Sequence, residues 1–232
     1  MKRSGSDREV SIRIDEEVTI LASLNVPPGA RGIVLFAHGS GSGRFSPRNR
    51  YVAGELGRRL LATVLIDLLT EQEEAIDALT RELRFNIPLL TERVIAATNW
   101  LGRNGQTRSL RIGYFGASTG AAAALAAAAA LGDRISAVVS RGGRPDLAGD
   151  KLPAVKAATL LIVGGNDPAV RDLNETALTK LGGHRELVIV PGAGHLFEEP
   201  GKLEEVAELA GRWFDKYVGQ AEPGPSPAAR RQ

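Results

Sequence analysis

The sequence predicts an α/β fold: a mostly parallel central sheet of about eight strands, helices on both faces, entered through an antiparallel hairpin. Three observations carry this. Residues 33–37, 63–66, 110–115, 135–139, 159–163 and 187–190 are short, branched, nearly continuous apolar runs, as strands covered on both faces are. Stretches with apolar residues at helical spacing separate most of them, and strands that alternate with helices imply parallel crossover units. The beginning of the chain differs. Val10-Ser11-Ile12-Arg13-Ile14 alternates apolar with polar, as does part of 18–24, with Asp15-Glu16-Glu17 between them, which is the pattern of a hairpin with one wet face.

The elements follow in order. Pro27-Pro28-Gly29 closes the hairpin, and the strand at 33–37 runs directly into the glycine-rich loop His38-Gly39-Ser40-Gly41-Ser42-Gly43. Ser46 as N-cap and Pro47 as first helical residue open a helix that carries Tyr51, Val52, Leu56 and Leu60 at helical spacing. After the strand at 63–66 comes a charged stretch, 70–84, with Glu71, Glu73, Glu74, Arg81 and Glu82. It reads as a solvated helix, with a short lid over residues 70–86 as the alternative. Asn86 caps the next helix, with Pro88 in its first turn, Ile87, Leu90, Val94 and Leu101 on one face, and Gly102 and Gly105 at its end. The strand at 110–115 turns a tight corner, Gly116-Ala117-Ser118-Thr119-Gly120, into an alanine-rich helix that ends at Leu131. Val170, Leu173, Ala177 and Leu181 mark a helix stopped by Gly182-Gly183, and Leu203, Val206, Trp213 and Tyr217 mark the last one. Residues 1–218 form one domain; 219–232, mostly Pro, Ala, Gly, Gln and Arg, read as a disordered tail.

Composition narrows the function. A net charge of +2 with no basic run or basic-aromatic interleaving argues against nucleic acid as a partner. The chain has no cysteine, which excludes disulfides, Cys-ligated zinc and a cysteine nucleophile. Its basic N-terminus has no apolar run behind it, and no stretch is long and apolar enough to span a bilayer, so a cytoplasmic protein without a membrane partner is expected.

The corner fits G-x-S-x-G. A serine at a sharp strand-to-helix turn is held in a strained backbone conformation that lifts its hydroxyl clear of the sheet, and a Cβ at Gly116 or Gly120 would collide with the neighbouring helix and strand. A serine hydroxyl needs a base, usually histidine, and a third group to orient it. Of the three histidines, His38 reads as a hydrogen-bonded support for its own loop and His184 as exposed. His195, in the glycine-rich loop after the final strand, is the candidate base. Asp167 leaves the strand at 159–163 at the same sheet edge and is the candidate acid, although it also suits a helix N-cap before Pro168; Asp146, Asp172, Glu198 and Glu199 compete for the role. The amides of Ser40 and Thr119 are the candidate oxyanion donors. As a phosphate cradle the Gly39–Gly43 loop fails, since it lacks Gly-Lys-Ser/Thr and the G-x-G-x-x-G spacing.

The chain order Ser118, Asp167, His195, together with the segments 38–43, 46–50, 116–120, 140–146, 164–167 and 192–195, resembles the dienelactone hydrolase-like branch of the α/β-hydrolase superfamily over about residues 9–218. The resemblance implies a cofactor-free, metal-free hydrolase of small carboxylic esters or lactones, working as a monomer or a homodimer. Enzymes that name the branch use a cysteine nucleophile, so this chain departs toward serine esterase chemistry; thioesterase or acyltransferase activity would use the same residues, and a non-catalytic scaffold is the contrasting reading. Arg141 leaves a strand at the same edge, with Arg48, Arg50 and Arg144 flanking the cleft; the resemblance implies that an arginine there binds a substrate carboxylate, so Arg141 and Gly39 are the candidate substrate-binding residues, and the alternative is an arginine that ties Asp146 or loop carbonyls.

Overall fold

The computed structural model describes residues 7–219. Apart from Gly219, the expected tail lies outside the described residues, as does the chain before Asp7. In chain order the strands are β1 (Arg8–Arg13), β2 (Thr19–Asn25), β3 (Ile33–Ala37), β4 (Ala62–Ile66), β5 (Ile112–Ala117), β6 (Ile135–Arg141), β7 (Ala158–Gly164) and β8 (Arg185–Val190). They make one sheet, β1-β2-β4-β3-β5-β6-β7-β8. The β1-β2 and β2-β4 pairs are antiparallel and every other pair is parallel. The Asp15 carboxylate accepts hydrogen bonds from the amides of Glu17 and Val18, both at 2.8 Å, which reverses the chain between β1 and β2.

Burial follows the sequence pattern. All five residues of β3 and of β4 are buried, whereas β1 buries only Ile12 fully. One face of the sheet packs on α3 (Ile87–Arg103), α4 (Thr119–Leu131) and α5 (Pro168–Lys180); the other packs on α1 (Pro47–Arg58) and α6 (Lys202–Tyr217). Caps set the helix starts: Ser46 accepts from the Asn49 amide, Asn86 accepts from the Leu89 amide at 3.1 Å, and Thr70 with Glu73 forms a reciprocal capping box at the head of α2 (Glu71–Thr80). Within α4, residues 119 through 128 are all buried, because the helix lies between the sheet and a second layer made of α3 and residues 145–154. Only small side chains let it approach from every side. No helix among the described residues is long and apolar enough to cross a membrane.

The structure differs from expectation in detail. β5 begins and ends two residues later than expected, so Gly116 and Ala117 belong to the strand and the corner is tighter. Leu60 lies beyond the end of α1 with φ of +60°, outside the helical stripe assigned to it. Residues 145–154 form short 3₁₀ turns that Pro145, Gly149 and Pro153 disguise as loop. The charged stretch 70–84 becomes α2 and a single 3₁₀ turn, Leu83–Phe85, pinned where the buried Asp77 carboxylate accepts from the Arg84 amide at 3.0 Å and from its Nε at 2.6 Å. β3, β5, β7 and β8 all end at one sheet edge, and every candidate site residue lies there or on a loop leaving it.

Candidate active site

Ser118 joins β5 to α4 with φ of +49° and ψ of −123°, a conformation that costs a non-glycine residue roughly 1–3 kcal/mol. Its neighbours enforce it. The Ser118 amide donates to the Arg141 carbonyl at 3.3 Å, and the Ser118 carbonyl accepts from the amides of Ala121 and Arg144, both at 3.1 Å. A Cβ at Gly116 would strike the backbone of Ala121, and one at Gly120 would strike the carbonyls of Ala37 and His38. The glycines of the corner are therefore steric requirements, as the sequence suggested. The Ser118 hydroxyl has no hydrogen-bond partner among the described residues.

His195 follows β8, and its Nδ1 lies 2.7 Å from Oδ2 of Asp167, which follows β7. Asp167 holds the N-cap position of α5, yet its side chain caps nothing. The carboxylate is directed to the imidazole instead. With an ionised carboxylate as partner, Nδ1 carries the proton and donates, leaving Nε2 as an open acceptor. The competing acids are engaged or set back: Asp146 pairs bidentately with Arg144 at 2.9 and 2.8 Å, Glu198 pairs with Arg48 at 2.7 Å, Glu199 accepts from the Gly194 amide at 2.9 Å, and Asp172 sits within α5. Ser118 and His195 flank one dipeptide at the end of β6. Arg141 holds the serine amide, and Gly142 is so close to the histidine that an added Cβ would lie 3.5 Å from ring atoms Cε1 and Nδ1. No hydrogen bond joins the two side chains in this structure; such bonds commonly tighten only around bound substrate.

The loop after β3 meets the corner from the other side. Gly39 lies against Ser118, where a Cβ would come 3.0 Å from the serine Cβ, and Ser40 Oγ is 3.1 Å from Thr119 Oγ1. Thr119 is the first residue of α4, so its amide has no partner within the helix, and the Ser40 amide has no acceptor among the described residues. Two N–H groups thus remain available beside the serine. The brace that steadies this loop was missed in the sequence. Asp67, the first residue past β4, accepts from the Arg44 amide at 2.7 Å and ion-pairs with the Arg44 guanidinium, which also reaches Glu9 at 2.7 Å. An acid at the carboxyl end of a central strand was the available signal. A cleft of about 890 Å³ opens here, lined in part by Ser40, Thr119, Phe45, Leu69 and Arg84, with α2 on one wall.

Arg141 is buried at the end of β6, and its Nε and Nη1 have no hydrogen-bond partner. Burial, with the neighbouring Arg48 charge, lowers its pKa to about 10, so it stays charged at neutral pH. The arginine that ties Asp146 is Arg144, not Arg141; Arg50 pairs with Asp7 at 3.3 Å on the surface.

Residues 6–209 match the model of the alpha/beta hydrolase family. A dienelactone hydrolase from Anabaena variabilis is 57% identical, with a TM-score of 0.91 over 93% of this chain and 100% of that one. Carboxyl esterase 2 of the fungus Tuber melanosporum shares 19% identity at a TM-score of 0.72, covering 93% of this chain and 88% of that one, a likeness of fold alone. A Mycobacterium tuberculosis protein, provisionally named a phosphoribosyl transferase, is 55% identical over 220 residues, 91% of this chain. The chain spans about half the length of that curated relative, 48%.

Proposed function

This chain belongs to the alpha/beta hydrolase family, and from that premise we propose that it is a serine hydrolase that cleaves small carboxylic esters or lactones through an acyl-enzyme. The observation that carries the reading is the pairing of a serine held at φ +49° on the strand-to-helix corner with a histidine whose Nδ1 lies 2.7 Å from a carboxylate at the same sheet edge. Ser118 Oγ attacks the acyl carbon while His195 Nε2 takes its proton. Asp167 keeps the ring in the Nδ1–H tautomer and stabilises the imidazolium. The amides of Ser40 and Thr119 hold the tetrahedral oxyanion, each worth ~10²–10³ in rate. Collapse expels the alcohol, which leaves with the proton from His195; water, deprotonated by the same nitrogen, then attacks the acyl carbon and frees Ser118.

Arg141 belongs to this proposal as the anion-binding residue. A buried guanidinium with two nitrogens that lack hydrogen-bond partners suits a carboxylate on the substrate. The substrate is a small molecule, and the site asks for no cofactor. A fluorophosphonate probe separates enzyme from scaffold: it modifies Ser118 in the wild type and fails in Ser118→Ala. A wild-type chain that takes no label would sink the proposal. A panel of p-nitrophenyl esters of rising chain length, with lactones and thioesters beside them, then orders the substrate classes.

A further inference from the structure

We infer that Asn174 is a positioning residue: through the Gly143–Arg144 peptide it holds the Ser118 corner in register with the helix that carries Asp167. The inference rests on the serine hydrolase reading above and adds a residue to it. Asn174 lies about two turns along α5 from Asp167 and is 0% exposed. Its Nδ2 donates to the Gly143 carbonyl at 2.9 Å and to the Val170 carbonyl of its own helix at 2.8 Å. Carbonyls can only accept, so the NH₂ end must face them, and both of its N–H groups are used. Oδ1 is left buried, with no hydrogen-bond partner among the described residues. A buried acceptor without a partner opposes folding, and an apolar side chain of the same shape would carry no such penalty. Packing alone therefore does not account for an asparagine here, whereas its bond to the Gly143 carbonyl does.

The Gly143–Arg144 peptide is the link. Its carbonyl faces α5, and its N–H, from Arg144, donates to the Ser118 carbonyl at 3.1 Å. In a trans peptide the C=O and N–H point in opposite directions, and among the described residues no peptide bond is cis, so this one unit spans from α5 to the corner. It is closely confined, since a Cβ at Gly143 would strike Ser140 Oγ and the Ala121 methyl group. The same loop meets the base. Gly142 lies against His195, where a Cβ would come 3.0 Å from the histidine carbonyl oxygen. One helix thus serves both halves of the site: Asp167 at its head orients His195, and Asn174 further along it steadies Ser118. Because no hydrogen bond joins the Ser118 and His195 side chains, their alignment is set through this scaffold. Without the Asn174 bond the peptide is free to rotate, the Ser118 carbonyl loses one of its two amide donors, and the hydroxyl drifts from the imidazole.

The test compares Asn174→Leu with Ala177→Gly, using p-nitrophenyl acetate. Leucine keeps the volume while removing both donors together with the unpaired Oδ1, and Ala177→Gly weakens the same helix at a buried position about one turn further on. In Asn174→Leu the acylation burst and kcat are expected to fall by roughly 10- to 100-fold, with KM and the urea midpoint changed little. Ala177→Gly is expected to do the reverse, lowering the midpoint and leaving kcat at the wild-type value. A folded Asn174→Leu with wild-type kcat, or an Ala177→Gly that loses as much activity, overturns the proposal. Should the leucine variant misfold, hydrogen exchange on the wild type gives a second reading: the Asn174 side-chain NH₂ and the Arg144 amide are expected to exchange about 10²-fold more slowly than the free Ser40 amide. Exchange as fast as that of Ser40 at either group overturns the assignment. The two readings fail separately. Fluorophosphonate labelling of Ser118 at equal rates in wild type and Asn174→Leu removes only the role of Asn174, whereas an unlabelled wild type removes both.

Discussion

Two loops at the same sheet edge each carry a histidine, and they treat it in opposite ways. His38, after β3, is buried, with a backbone donor on one nitrogen and a backbone carbonyl on the other. His195, after β8, has a side chain 41% exposed, a carboxylate on Nδ1 and nothing on Nε2. One ring has no free nitrogen and serves as a strut; the other has one free nitrogen and an anion behind it, which is what proton transfer requires. The difference lies in partners and solvent access, since the residue type and the strand-end position are the same. The surroundings agree with it. The His38 loop is braced by Asp67 and Arg44, whereas the His195 loop is held by Glu199 on the Gly194 amide and turns through Phe197 at φ +57°.

The contrast can be broken most sharply at the exposed ring. Ser118→Ala and His195→Ala are each expected to lower kcat by roughly 10⁶, with the double variant no worse than either, because the pair acts as a unit. Additive losses, measured by burst and steady-state kinetics, would show that the two residues work independently. Asp167→Asn is expected to cost about 10⁴ in kcat with the fold intact by circular dichroism, since an amide no longer enforces the Nδ1–H tautomer. A loss below tenfold would remove Asp167 from the catalytic machinery.

The buried ring should instead report through stability. Burial holds the His38 pKa below its ordinary 6.5, against the opposing pull of Asp67 and of the Gly39 carbonyl. As pH falls through 6.5, the unfolded chain gains a proton that the folded one refuses, so stability declines by up to about 1.4 kcal/mol per pH unit until the lowered folded value is passed. Urea titrations between pH 7 and 5 check this, and the slope should flatten in His38→Asn. The third histidine sharpens the comparison from the other end. His184 is exposed, bonds Glu186 at 3.2 Å and stacks on Trp213 with centroids 5.6 Å apart. His184→Ala should cost about 0.5 kcal/mol and leave kcat unchanged.

Much of the site is legible in the residues alone. The two corner glycines announce a backbone too crowded for a side chain, and the collisions a Cβ would make at 116 and 120 are the reason G-x-S-x-G marks a strand-to-helix turn. Asp167 and His195 stand just past apolar strands, and a parallel sheet delivers all such residues to one edge. The hairpin, the buried strands and the capped helices follow from periodicity and from Asp15, Ser46, Thr70 and Asn86. These are local signals, each written within a few residues.

What the tertiary structure decided is long-range. Only folding brings Asp67 and Glu9 to Arg44, the Leu68 amide to His38, and the Arg141-Gly142 dipeptide to both Ser118 and His195. Likewise, only the assembled sheet leaves Arg141 buried while Arg144 takes Asp146. A sequence determines which residues can turn, cap or alternate, because those preferences depend on near neighbours. Which histidine has both nitrogens engaged by backbone and which keeps one open beside a carboxylate depends on the atoms that surround each ring, and segments about thirty residues away supply them.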